Sequence, residues 1–62
     1  MMKDYLTPRE KEILNLVRRG YSNAEIAKDL SLTVQTIKNY LSIIYDKIGV
    51  KNRIQAATFY CS

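Results

Sequence analysis

Gln35, Lys38, Asn39, Ser42 and Asp46 recur at i, i+3, i+4, i+7 and i+11, while Ile37, Leu41, Ile44 and Ile48 keep the same kind of spacing between them. At about 100° per residue, the polar set falls on one side of a helix and the apolar set on the other. The polar set has the chemistry of hydrogen-bond readout. An Asn or Gln amide meets adenine through a donor and an acceptor at once, Lys reaches guanine acceptors or a phosphate, and Ser contacts almost any base edge. Gln35, Lys38, Asn39 and Ser42 are therefore candidate base-reading residues, with a plain solvated helix surface as the alternative. Little else in the chain suggests chemistry. There is no His and no Trp, and the single Cys is Cys61. The commonest general base is missing, and neither a zinc site of Cys and His ligands nor a disulfide within one chain can be assembled. No Ser, Thr or Lys is spaced as a nucleophile beside an orienting partner. The expectation is a protein that is not an enzyme and takes no cofactor and no metal.

The charge fits a polyanion partner. Ten Lys and Arg face six Asp and Glu, for a net charge of +4, and the excess is uneven. Residues 1–30 carry six basic and five acidic side chains, whereas residues 31–62 carry Lys38, Lys47, Lys51 and Arg53 against Asp46 alone. A cationic surface of this kind gains affinity for phosphates through counterion release. The 62 residues suffice for one small domain, 1–62, and an apolar content of 47% with 26% charged residues is that of a globular chain. So small a core is marginally stable, which makes dimerisation expected. The Met1 to Leu6 segment has no apolar stretch of the signal-peptide kind, and no run approaches the ~18 apolar residues of a membrane helix. With the lone thiol, this leads us to expect a soluble, cytoplasmic protein without a membrane partner.

The elements that position these residues are announced by their caps. Thr7-Pro8-Arg9-Glu10 has an N-cap, a Pro where no amide donor is needed and a capping-box Glu, so a helix is predicted over about 8–19, buried through Ile13, Leu14, Leu16 and Val17 and ended by Gly20. Ser22-Asn23-Ala24-Glu25 repeats that logic for a helix over about 23–30, with Ile26, Ala27 and Leu30 inward. After a tight turn, Thr33 caps a third helix over about 34–48, which Gly49 can end. Asn52-Arg53-Ile54-Gln55 opens a short fourth helix over about 53–60. No segment alternates apolar and polar between hairpin signals, so the fold class is all-α. Two short helices joined by a three-residue turn, the second longer and basic, have the organisation of a helix-turn-helix, whose second helix enters the DNA major groove.

Leu6-Thr7-Pro8-Arg9-Glu10, Asn23-Ala24-Glu25-Ile26-Ala27, Thr36-Ile37-Lys38-Asn39 and Lys47-Ile48-Gly49-Val50-Lys51-Asn52-Arg53 stand in order and closely resemble the LuxR-type helix-turn-helix family, over about residues 6–60. The resemblance implies a four-helix domain of a bacterial transcription regulator, with double-stranded DNA as its partner. Its base contacts would fall on Lys38, Asn39 and Ser42, with Thr33, Gln35 and Thr36 nearer the backbone and Lys47, Lys51 and Asn52 near phosphates. Where the family usually has His this chain has Tyr40, and where several members carry a basic side chain it has Ser42, so base preference there departs from the family's. Asp46 would repel a close phosphate, which leaves the N-terminal half of the third helix to enter the groove. Glu10, Glu25 and Arg53 are expected to make caps and an internal ion pair, and Arg18 and Arg19 to complement the helix dipole.

Periodicity alone cannot orient the fourth helix. The resemblance turns Arg53, Ala56, Ala57 and Tyr60 inward and leaves Ile54, Gln55, Thr58, Phe59 and Cys61 as an outer seam, which in relatives forms the homodimer contact. Two subunits would then read half-sites about one helical turn apart. Two other readings compete. Region four of a sigma factor, docking on RNA polymerase, shares the Leu-Thr-Pro-Arg-Glu opening but would stop near the recognition helix. An interaction protein would pair with a full-length regulator through the fourth helix.

Overall fold

The computed structural model describes residues 6–58, which form four helices: α1 (Pro8–Arg18), α2 (Asn23–Leu30), α3 (Val34–Ile48) and α4 (Arg53–Thr58). The first two begin as their sequences require. Thr7 Oγ1 accepts from the Glu10 amide at 3.2 Å, while Glu10 Oε1 accepts from the Thr7 amide at 2.8 Å. Ser22 and Glu25 make the same reciprocal pair at 3.1 and 2.8 Å. These bonds satisfy amides that a helix start leaves without partners. At α3, Thr33 Oγ1 accepts from the Thr36 amide at 3.1 Å, and the third helical position is Thr36 rather than Glu. At α4, Asn52 Oδ1 accepts from the Gln55 amide, while Gln55 Oε1 reaches past the cap to the Lys51 amide at 2.7 Å.

Helix ends follow one scheme. Gly20, Ser31 and Gly49 all have positive φ, at 90°, 59° and 75°. The amide after each turns back to a carbonyl five residues earlier: Tyr21 to Leu16, Leu32 to Ala27 and Val50 to Tyr45. This closure draws the chain round into the next element. It also stops α1 at Arg18, with Arg19 as its cap, one residue short of the sequence expectation.

Ile13, Leu14, Ile26, Ile37 and Ile44 are fully enclosed, and Leu16, Val17, Ala27, Leu41, Ile48 and Ala56 complete the core with Leu6. The apolar stripes read from α1 and α3 are therefore its walls. Leu30, the last residue of α2, is only partly buried and packs against this core from outside. Both α2 and α3 pack against α1, as does α4, and α2 packs against α3. The frame thus holds α3 along its apolar stripe and leaves the opposite side open. The expected continuation of α4 to residue 60 lies outside the described residues.

Candidate nucleic-acid interface

Gln35, Lys38, Asn39, Ser42 and Asp46 are all exposed, on the side of α3 opposite Ile37, Leu41, Ile44 and Ile48. Burial of those four aliphatic side chains fixes the rotation of the helix, and that rotation presents the polar set. Gln35 and Asn39 are joined, with Gln35 Nε2 donating to Asn39 Oδ1 at 3.1 Å. A further residue shares this face without having been expected there. Ile43, one turn beyond Asn39, is 48% exposed. A wheel of α3 shows its position, but pattern reading assigns an aliphatic residue to the core by default. Tyr40 is half-buried against the core, as its place at the edge of the apolar stripe implied.

The residues carried over as phosphate contacts divide into three kinds. Thr33 and Thr36 sit at the N-terminus of α3 with their hydroxyl oxygens 2.9 Å apart. No acidic side chain occupies that first turn, whereas α1 has Glu10 and α2 has Glu25 there. The positive end of the α3 dipole is therefore left uncompensated by its own side chains. Lys51 and Asn52 are exposed in the turn before α4, where Asn52 also caps that helix. Lys47 is engaged inside the domain. Its Nζ donates to Glu10 at 2.9 Å and 3.1 Å, to Oε1 and Oε2, and the Lys47 side chain stays 31% exposed.

Glu10 is the one buried charged side chain among the described residues, and its carboxylate is fully partnered. Burial acts to raise its pKa, but the Thr7 amide and the Lys47 ammonium outweigh burial and hold it below the ordinary value. The internal ion pair is thus Glu10 with Lys47, while Glu25 serves as a cap. Arg53 instead donates to Asn23 Oδ1 at 2.6 Å and to the Tyr21 carbonyl, tying the start of α4 to the turn between α1 and α2. Arg19 lies over the Tyr21 ring at 5.9 Å.

On α4, Ala56 is buried and Ala57 and Arg53 partly so, while Ile54 is 78% exposed beside exposed Gln55 and Thr58. Phe59 and Cys61 lie outside the described residues. Among the described residues, no group of three Asp, Glu, His or Cys side chains stands ready for a metal ion, and no helix is long and apolar enough to cross a membrane.

DesR of Bacillus subtilis strain 168, a transcriptional regulatory protein, is 53% identical over 53 residues, which is 86% of this chain and 27% of DesR. The CsgBAC operon transcriptional regulatory protein of Escherichia coli K12 is 52% identical over 54 residues, 87% of this chain and 25% of that protein. The response regulator VraR of Staphylococcus aureus is 45% identical over 56 residues, 90% of this chain and 27% of VraR. The chain therefore spans about a quarter of the length of these relatives. The sequence profile of the bacterial regulatory proteins of the luxR family matches residues 4–60, a span that takes in all four helices. Since that match includes both helices of the helix-turn-helix and the α4 that a sigma-type module would lack, the chain belongs to the LuxR family of bacterial regulatory proteins.

Proposed function

We propose that this chain binds double-stranded DNA sequence-specifically as a regulator of transcription, with the N-terminal half of α3 in the major groove and two copies meeting through α4. The observation that carries this reading is the exposed polar face of α3, held outward by four buried aliphatic residues on its other side. Lys38, Asn39 and Ser42 are the base-reading side chains, with Gln35 beside them. Ile43 adds an apolar surface suited to a thymine methyl group. Thr33 and Thr36 approach a phosphate at the N-terminus of α3, supported by the absence of an acidic residue in that turn. Lys51 and Asn52 meet the backbone from the turn before α4. Lys47 contributes first to the frame, through Glu10, and its side chain stays partly exposed.

The test is a titration against random duplex DNA at several salt concentrations, repeated with DNA selected from a random pool. Affinity should fall linearly on a log–log plot, with a slope of about −0.9 for each phosphate contact. Selection should return a two-fold-symmetric site bound by two copies. A folded protein that binds no DNA at low salt would sink the reading and turn attention to a protein partner, such as a full-length regulator or RNA polymerase.

A further inference from the structure

Gln35 and Asn39 stand one turn apart on the exposed face of α3, and the Gln35 amide nitrogen donates to the Asn39 amide oxygen at 3.1 Å. We propose that Gln35 is a positioning residue, which holds the Asn39 amide in the orientation that reads adenine and does not read a base of its own. This rests on the DNA-binding reading above. A surface Asn turns freely about its last side-chain torsion, so the order in which it offers oxygen and nitrogen to a groove is not fixed. Adenine demands one order: its N6 amino group donates to Oδ1, and its N7 accepts from Nδ2. An amide oxygen has two lone pairs. Gln35, one turn earlier on α3, takes up one of them, and one remains for adenine. Turning the Asn39 amide alone by half a turn would set its NH2 group against the Gln35 NH2 group, donor facing donor, so the order reverses only when both amides turn together.

The pairing thereby biases what the helix accepts. Guanine presents acceptors at both N7 and O6, so it offers the held Asn39 oxygen nothing to accept. Ordering the amide before DNA arrives also lowers the side-chain entropy lost on binding. Both residues are exposed, so replacing either should leave the core and the fold intact.

The experiment is selection from a random duplex pool with four proteins: the parent, Gln35→Met, Asn39→Ala and the double variant. Met keeps the length of Gln and removes the donor. The parent should select an adenine that Asn39→Ala no longer prefers. Gln35→Met should weaken preference at that same position by about fivefold or more, leaving other positions and the salt slope unchanged. The double variant should match Asn39→Ala. Loss at a different position, additive with the loss from Asn39→Ala, would show that Gln35 reads its own base pair and would overturn the proposal, as would an unchanged adenine preference in Gln35→Met. A parent protein that selects no sequence would fail at the earlier step, visible before any variant is made. In the free protein, Asn39→Ala should move the side-chain amide proton resonances of Gln35, and unmoved resonances would count against the pairing itself.

Discussion

In the proposed function, Asn39 reads a base and Lys51 meets a phosphate, and salt separates the two kinds of contact. Asn39→Ala should cost about 1–3 kcal/mol on the selected site and relax one base position, with the salt slope kept. Lys51→Ala should weaken binding to every sequence and reduce the slope by about 0.9, read from titrations between low and moderate salt. Ile43 calls for another measurement. Half-exposed as it is, Ile43→Ala should change unfolding stability by less than about 0.5 kcal/mol, while selection with that variant should lose preference for a thymine next to the Asn39 contact. An unchanged site would remove Ile43 from the reading face. The polar members of that face were legible from spacing, because helix periodicity and side-chain chemistry are both local facts. Two features were not. Ile43 is an aliphatic residue, which pattern reading assigns to the core by default although a helical wheel places it off the stripe, and the burial of Ile37, Leu41, Ile44 and Ile48 instead decides that it faces outward. The tie between Lys47 and Glu10 joins residues 37 apart in sequence, a distance at which charge type can be read but the partner cannot.

Among the elements, helix starts were more legible than helix ends. Thr7 with Glu10, Ser22 with Glu25, Thr33, and Asn52 with Gln55 all cap as their types suggest, because the capping residue and its target amide lie within one turn. Two of the three left-handed closures fall on glycine, the residue for which positive φ carries no Cβ penalty. The third falls on Ser31, which gave no local sign. There the need comes from the next element, since α3 must begin at Val34 with its stripe facing the core, and the short connection is closed by the Leu32 amide bonding to the Ala27 carbonyl at 2.8 Å. A side chain at left-handed φ costs roughly 1–2 kcal/mol, and glycine's extra freedom in the unfolded chain returns part of that. Ser31→Gly should therefore stabilise the domain by about 0.5–1 kcal/mol, measured by urea unfolding, with DNA affinity unchanged. A destabilised variant would mean that the Ser31 hydroxyl contributes more than the backbone strain removes.

At the scale of the whole molecule, polar links also cross between elements that the apolar core already brings together. Glu10 to Lys47 fastens α1 to α3, and Arg53 fastens the start of α4 to the α1–α2 turn. The first link has a pH signature. Because the folded state holds the Glu10 pKa below its ordinary value, the link stabilises fully above the ordinary glutamate pKa of about 4.3 and is lost as pH falls through the lowered folded value. Lys47→Met should thus be less stable than the parent at neutral pH, and urea midpoints of the two should converge as pH falls through the lowered Glu10 value; a gap that stays constant would show that Lys47 acts through packing of its stem alone. The second link bears on assembly, because it makes the orientation of α4 depend on the same turn that leads into α2 and hence into the helix-turn-helix. An exposed Ile54 on a helix so anchored presents a fixed apolar face, and a fixed face can set the separation of two reading helices on DNA. Ile54→Ala removes apolar surface without touching the core, so its own unfolding should shift by no more than about 0.5 kcal/mol. On DNA with one half-site it should bind like the parent. On DNA with two half-sites it should bind about tenfold or more weakly, since the second copy no longer gains from the first. Equal binding of parent and variant to the paired site would place the contact between copies elsewhere on the domain.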